Sequence, residues 1–178
     1  VGLVDTDDLY DKMTDKFCFD AVSREDYCVD YQNTYTFLGV MSLRNMFVSA
    51  ANAFISAGEN DRAEEMLDKC QQVLKPKKYP YDNSILGWGS NALFPIEMVK
   101  DYYALGRQDK ARALARELSS ELMESVRFYL DFYPMCKNEF EYNCNLVYYM
   151  TNDIRKAGDK DFADEIEKTL AGFLSVQS

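Results

Sequence analysis

The sequence predicts an all-α protein that folds as a right-handed stack of antiparallel helical hairpins. Three observations predict it. Apolar residues recur with the 3.6-residue period of a helix over long stretches, glycine and proline are scarce at 8 and 4 of 178 residues, and one short phrase around a glycine occurs three times. Because few residues break a helix, we expect long helices with short connections. A single domain over 1–178 is expected, since 47% apolar residues can supply a core.

The first helix is predicted at about 6–17, near the start of the chain. Three apolar residues recur there every four positions and form one stripe: Leu9, Met13 and Phe17. The three hairpins follow at about 33–75, 94–133 and 139–175. Pro76 ends the first hairpin, and Pro134 separates the second from the third, because proline cannot continue a helix.

The repeated phrase has the same three parts in each hairpin. A glycine is preceded four residues earlier by a bulky side chain and followed five residues later by an alanine: Phe54, Gly58 and Ala63; Tyr102, Gly106 and Ala111; Ile154, Gly158 and Ala163. Glycine adopts the left-handed conformation that a tight reversal needs. The small alanine lets the second helix approach the first, and the bulky side chain fills the contact between them.

This spacing resembles the tetratricopeptide repeat. In the first hairpin the repeat's small, aromatic, glycine, alanine and proline positions are matched by Ala51, Phe54, Gly58, Ala63 and Pro76. The glycines are 48 and 52 residues apart, whereas the repeat has about 34. We therefore expect irregular repeats, and an ordinary helical bundle with three similar turns is the alternative.

Composition excludes several classes of function. The net charge of -10 argues against nucleic acid, because phosphate binding needs clustered lysine and arginine. Histidine is absent, which removes the commonest metal ligand and the commonest general base. No apolar run approaches the roughly 20 residues of a membrane helix. The chain starts "VGLVDTDD" without a methionine or a signal-peptide pattern, so we expect it to be a piece of a longer protein.

The reactive residues of this sequence do not form a recognisable catalytic or metal site. The segment "DTDDLYDKMTDK" fails as a calcium loop, since Tyr10 and Lys16 occupy its glycine and glutamate positions. The spacing of the carboxylates in "EEMLDKC" and "DEIEKT" is typical of the solvent-exposed face of an amphipathic helix. The five cysteines form no C-x-x-C pair, and we expect most of them to be small buried groups, with one disulfide left open: Cys18, Cys28, Cys70, Cys136 and Cys144. We predict no catalytic residue, no metal and no cofactor.

Aromatic side chains supply the candidate binding residues. They are concentrated in the second half of the chain, where packing between helices explains most of them: Tyr79, Tyr81, Trp88, Tyr102, Tyr103, Phe128, Tyr129, Phe132, Tyr133, Tyr142, Tyr148 and Tyr149. Loop 79–90 is long and aromatic, and we expect it to lie outside the core. The predicted ligand contacts are Tyr79, Tyr81, Trp88, Tyr102 and Tyr103, because tyrosine and tryptophan suit peptide or sugar binding.

Four segments in this order carry a resemblance to a family: "LYDKMTDKF", "VDYQN", "NDRAEEMLDKCQQVLKPKKYPYD" and "MVKDYYALGRQDKARALA". The chain resembles the C-terminal region of large polytopic membrane proteins of Bacteroidetes, whose membrane part is similar to C-type glycosyltransferases and protein O-mannosyltransferases. The resemblance implies a non-catalytic tail on the periplasmic side of the inner membrane, which holds an acceptor protein or another partner. It implies no catalytic residue in this chain, because the catalytic acids would lie in the membrane part.

Three other functions stay open at the level of sequence. The first is a glycan-binding module, as in the helical lipoproteins of outer-membrane sugar uptake. An enzyme in its own right would need a deep pocket with convergent carboxylates. A purely structural role, as a cap or a dimerisation element, is the third. We expect a protein or peptide partner.

Overall fold

A computed structural model describes residues 5–28, 30, 39–81 and 92–175. The prediction of an all-α protein is confirmed, since these residues form helices and turns and contain no strand. Contacts divide the chain into two compact units, Val1–Pro80 and Tyr81–Ser178. The single domain, the tetratricopeptide type of the repeat and the hand of the stack stay predictions.

The first unit contains a short N-terminal helix and one long hairpin. Helix α1 spans Thr6–Asp11 and continues as a π-helical segment, Lys12–Lys16. A single turn, α2, covers Asp20–Ser23, and the hairpin consists of α3, Val40–Ala57, and α4, Asn60–Val73. The predicted start of this hairpin, near residue 33, lies outside the described residues.

The N-terminal helix is close to its prediction, with one difference at its end. The Asp5 carboxylate caps it by accepting a hydrogen bond from the Asp8 amide at 3.1 Å. Met13 is fully buried, but Phe17 is 46% exposed, so the apolar stripe ends one turn early. The reason is local, because the chain leaves the π-helical segment at Phe17 with an extended backbone. Lys69 holds this end by donating to the carbonyls of Met13 and Thr14.

The second unit consists of two hairpins that pack against each other. Its helices are α5, Leu93–Ala104; α6, Gln108–Asp131; α7, Lys137–Lys156; and α8, Lys160–Ser175. Their outer bounds agree with the predicted hairpins within two residues. Helix α7 contacts both α5 and α6, and α8 contacts α6. The second helices of the two hairpins, α6 and α8, therefore lie side by side.

All three glycine hinges share one backbone pattern. Gly58, Gly106 and Gly158 have φ values of 78°, 71° and 95°, in the left-handed region that the sequence predicted. The residue after each glycine donates its amide to the carbonyl of the bulky residue: Glu59 to Phe54 at 2.9 Å, Arg107 to Tyr102 at 2.8 Å and Asp159 to Ile154 at 3.2 Å. This is the Schellman arrangement. The carbonyl of the residue after the glycine then accepts a hydrogen bond from the alanine amide. This one residue therefore ends the first helix with its amide and begins the second helix with its carbonyl.

The repeated side chains are buried, as their predicted packing role requires. Each alanine and each bulky residue of the three phrases is 0% exposed: Phe54, Ala63, Tyr102, Ala111, Ile154 and Ala163. Burial of both the alanine and the bulky residue is what close packing of the two helices of a hairpin requires. Burial at this density makes the contact sensitive to any added volume.

A buried arginine fixes the segment that follows α4. Arg44 is 1% exposed and donates to the backbone carbonyls of Tyr79 and, at 2.9 Å, Pro80. The Tyr79 hydroxyl donates to the carbonyl of Val22 at 3.0 Å. A buried guanidinium needs such acceptors, because a buried charge without partners is costly. The segment is thereby tied to α3 and α2.

Candidate functional site

Three of the five predicted ligand contacts belong to the core. Tyr79 is 1% exposed, Tyr81 2% and Tyr102 0%. Tyr81 donates its hydroxyl to Glu117 at 3.3 Å and its amide to Glu121 at 2.7 Å. These rings have no surface to offer a ligand in this conformation. The expectation that the start of loop 79–90 avoids the core is wrong for Tyr79 and Tyr81, because Arg44 and α6 carboxylates satisfy the polar groups of this segment. We therefore leave these three residues out of the candidate site.

Tyr103 is half-buried, and its hydroxyl is already engaged. It donates to the carboxylate of Asp159 at 2.7 Å. Burial, together with this carboxylate, raises the pKa of Tyr103 above its ordinary value. Trp88, the last of the five, lies outside the described residues. A binding role for Tyr103 and Trp88 stays a prediction.

Helices α6 and α8 of the second unit form a recess, the α6–α8 groove, with a volume of about 450 Å³. From α6 it is lined by Arg116, Met123, Glu124 and Arg127 among others. From α8 it is lined by Phe162, Glu165, Ile166 and Phe173. The groove is open on one side, and its size is that of a site for a drug-sized molecule or a short peptide.

The two helices run parallel along the groove. At one end the Arg116 guanidinium lies over the Phe162 ring, 4.8 Å from its centroid. At the other end the lining residues are Arg127 and Phe173, each eleven positions further along its helix. At 1.5 Å per residue the two ends are about 16 Å apart. The floor between them is apolar, with Met123 7% and Ile166 5% exposed.

The charged side chains of the groove form no ion pair in the part of the chain that the structure describes. Arg116 and Arg127 have no carboxylate within ion-pair distance among the described residues, and the same holds for the carboxylates of Glu124 and Glu165. Arg155, in contrast, is bound by two carboxylates at 2.7 and 3.0 Å. The groove therefore presents one guanidinium group at each end and two carboxylates between them.

Next to one end of the groove lies a cluster of exposed apolar residues, which we name the aromatic tip. It consists of Phe128, Phe132, Tyr133 and Met135, which are 57%, 45%, 48% and 82% exposed. The rings of Phe128 and Phe132 contact each other, with centroids 5.0 Å apart. Because Phe128 follows Glu124 by one helical turn, the tip continues the surface of the groove.

The sequence had singled out some of these residues but had assigned them to packing. Phe128, Phe132 and Tyr133 belong to the aromatic set for which contacts between helices were the main explanation. They lie at the end of α6, which finishes at Asp131 and is followed by a turn, and their side chains are exposed there. Their position near Pro134, at a predicted helix end, was the available signal. The residues of the groove carried no such signal in the sequence, because the pairing of α6 with α8 depends on the tertiary fold.

The cysteines differ from the expectation that most are buried. Cys70 and Cys144 are buried, Cys136 is intermediate, and Cys18 and Cys28 are exposed, with all five present as free thiols. Burial raises the pKa of Cys70 to about 12 and also raises the pKa of Cys144. These two buried thiols are poor nucleophiles, because the reactive form is the thiolate.

No group of three metal-ligating side chains occurs in residues 5–28, 30, 39–81 and 92–175. Within the same ranges no helix is both long and apolar enough to cross a membrane.

Comparison of the chain with protein families, with curated proteins and with solved structures found no significant match. The candidate site therefore depends on geometry alone, namely the groove and the aromatic tip beside it.

Proposed function

We propose that this chain is a non-catalytic binding domain that recognises a polypeptide partner through the aromatic tip and the adjoining α6–α8 groove. The observation that carries the proposal is the tip, where four large apolar side chains are 45–82% exposed within a short stretch of chain. Clustered exposed apolar residues beside polar ones are typical of interaction sites.

The chemistry of the tip suits a protein surface. Phenylalanine and tyrosine offer a large contact area with only two side-chain torsions, so little conformational entropy is lost when they are covered. Such residues dominate the binding energy of many interfaces. The charged groove beside the tip supplies the polar, orienting contacts that an apolar cluster lacks.

The resemblance to Bacteroidetes membrane proteins supplies a context for this proposal. In that context the domain would be the periplasmic C-terminal tail of a glycosyltransferase-like protein, and the partner would be an acceptor polypeptide. What supports a binding role is the exposure of the aromatic tip beside a groove that combines arginine, glutamate and apolar side chains.

Site-specific photo-crosslinking in the native host tests the proposal. A photoreactive phenylalanine analogue replaces Phe132 in the full-length protein, and the matched control carries it at Ala113, an exposed position of α6 away from the tip. We expect position 132 to crosslink a defined polypeptide that mass spectrometry identifies and position 113 not to do so. Absence of a polypeptide crosslink at 132, or equal crosslinking at both positions, would contradict a binding role for the tip.

A glycan-binding module is a second candidate, favoured by exposed tyrosines on α7. Tyr148 and Tyr149 are 46% and 49% exposed, and sugar rings stack on such faces. An oligosaccharide array separates the two candidates. A sugar that binds the wild type but not Tyr148→Ala/Tyr149→Ala, with no polypeptide crosslinked at Phe132, would replace the first proposal with this one.

A further inference from the structure

The α6–α8 groove carries a more specific inference, which rests on the proposed function. We infer that the groove binds an extended polypeptide segment with two acidic side chains about 16 Å apart, one for Arg116 and one for Arg127. The residues between these acids are apolar or basic. The following observations support each part of this pattern.

The first observation is that Arg116 and Arg127 form no ion pair within the described residues. The chain carries 30 acidic and 20 basic residues, so a basic side chain usually finds a carboxylate nearby. Arg112 and Arg155 of the same unit do so. Arg116 and Arg127 line a recess and are unpaired within the described residues. A guanidinium over an apolar floor binds a carboxylate through two parallel hydrogen bonds, which gives both orientation and strength.

The second is the distance between them. A single small anion cannot reach two guanidinium groups that are eleven helical positions apart. An extended chain rises about 3.3 Å per residue, so two acidic side chains four to six residues apart span the same length. With a spacing of four or six residues, both acids also point to the same side of an extended segment.

The third is the middle of the groove. Met123 and Ile166 form its floor and are almost fully buried already, so they offer a shallow apolar contact. Glu124 and Glu165 lie between the arginines and would repel a further acid at the centre of the segment. The charge along the groove is thus positive, negative, negative, positive, and the complementary segment is acidic at its ends only.

Panning a displayed random-peptide library on the full chain tests the inference. We expect the wild type to enrich peptides with two acids four to six residues apart and a centre without acids. Binding of an enriched peptide should fall at least about tenfold with Arg116→Glu/Arg127→Glu, the loss that corresponds to about 1.4 kcal/mol. A peptide with lysine in place of both acids should prefer this variant to the wild type.

The matched control is Lys160→Glu/Lys168→Glu, which changes the net charge equally on exposed positions of α8 outside the groove. It should bind the original peptide like the wild type, and circular dichroism should show unchanged helicity in both variants. Enriched peptides that lack the spaced acids, or that bind Arg116→Glu/Arg127→Glu equally, would overturn the inference. If such peptides no longer bind the variant Phe128→Ser/Phe132→Ser, the aromatic tip is still a binding site and the proposed function stands. A library that yields no binder at all would overturn both.

Discussion

The carboxylate of Asp159 accepts two parallel hydrogen bonds from the Arg112 guanidinium, one from Nε and one from Nη2, each 2.7 Å long. The Tyr103 hydroxyl and the Gln108 amide donate to the same carboxylate at 2.7 and 3.0 Å. Asp159 is the hinge residue of the third hairpin, whereas its donors belong to the second. This buried carboxylate therefore joins the two hairpins of the second unit.

Replacing Asp159 should destabilise the second unit. Asp159→Asn removes one acceptor oxygen and the charge, which leaves the Arg112, Tyr103 and Gln108 donors poorly satisfied. We expect a loss of about 2 kcal/mol in the free energy of unfolding, less than for a fully buried pair because Arg112 is partly exposed. Urea unfolding at pH 7 measures it. The control is Asp161→Asn, an exposed position two residues on, and an equal effect of both substitutions would contradict this role.

The same pair predicts a dependence of stability on acid pH. Hydrogen bonds from Arg112, followed by those from Gln108 and Tyr103, hold the pKa of Asp159 below its ordinary value. A carboxyl whose pKa is lower in the folded state stabilises the fold above its unfolded pKa of about 3.9 and loses that contribution as the pH falls further. The destabilisation by Asp159→Asn should therefore shrink below about pH 4. A destabilisation that stays constant down to about pH 2 would contradict it.

Asp101 predicts the opposite dependence. It is 3% exposed, and its Oδ2 has no hydrogen-bond partner among the described residues. Burial, with a further contribution from Glu97 that Lys100 opposes, raises the pKa of Asp101 to about 7. Between about pH 4 and 7 the folded chain holds this proton and the unfolded chain does not, so the contribution of Asp101 to stability falls as the pH rises through this window.

The substitution Asp101→Asn tests this sign, because asparagine does not ionise. The stability of Asp101→Asn relative to the wild type should rise by about 2 to 3 kcal/mol from pH 5 to pH 8, since each pH unit between 5 and the folded pKa contributes about 1.4 kcal/mol. Urea unfolding at the two pH values measures the difference. The exposed Asp109→Asn serves as the control. A relative stability of Asp101→Asn that is equal at both values would refute the prediction.

The hinge glycines should be costly to replace even though space is available. A Cβ at Gly106 meets nothing within 4 Å, so only its φ of 71° opposes a side chain. Gly106→Ala should cost about 1 kcal/mol in the free energy of unfolding. Gly172 is the matched control, because it lies inside α8 without a positive φ and is equally open. Gly172→Ala should stabilise the fold by up to about 1 kcal/mol, and thermal unfolding that shows the same sign for both variants would contradict the backbone argument.

The hinge alanines should tolerate no added volume. Ala111 is fully buried against the first helix of its hairpin, and Ala111→Leu should cost about 1 to 3 kcal/mol through overpacking. Ala113 lies on the exposed face of the same helix, two residues further, so Ala113→Leu changes composition equally without touching the contact. Denaturant unfolding of the two variants distinguishes them. If Ala113→Leu destabilises as much as Ala111→Leu, the close approach of α5 and α6 is not what the alanine provides.

Thiol reactivity should follow burial. Cys18 and Cys28 are exposed and should react with a disulfide reagent about as fast as free cysteine, whereas Cys70 should react only when the fold opens. Mass spectrometry after brief native labelling assigns the modified residues, and labelling in denaturant supplies the reference. Native labelling of Cys70 at the rate of Cys18 would contradict its burial and its raised pKa.

The repeated phrase made the hairpins predictable from sequence. Gly58, Gly106 and Gly158 specify a local backbone state, so their positive φ values follow from residue type without knowledge of the tertiary fold. Alanine and bulky partners at fixed offsets then determine which faces meet. The helix end was less predictable at Phe17, because the chain leaves the π-helical segment there with an extended backbone and the spacing of apolar residues does not signal this change.

The candidate site was far less predictable than the fold. Whether an aromatic ring is core or surface depends on which helices pack beside it, and residue type gives the same signal in both cases. Tyr81 is buried, and carboxylates of α6 accept hydrogen bonds from its amide and its hydroxyl, whereas Phe132 at the end of the same helix is 45% exposed. The α6–α8 groove is formed by residues nearly fifty positions apart, and no local pattern reports such a pairing.

The Schellman hinges use only backbone atoms of the residue after each glycine, so the geometry leaves its side chain uncommitted. Glutamate, arginine and aspartate occupy this position in turn. Glu59 accepts a hydrogen bond from Thr6 at 2.7 Å and so anchors α1, while Asp159 anchors the preceding hairpin. The side chain after each hinge glycine can therefore bind a different neighbouring element in each hairpin. Substitutions at this position can change that contact during evolution while the backbone of the turn stays the same.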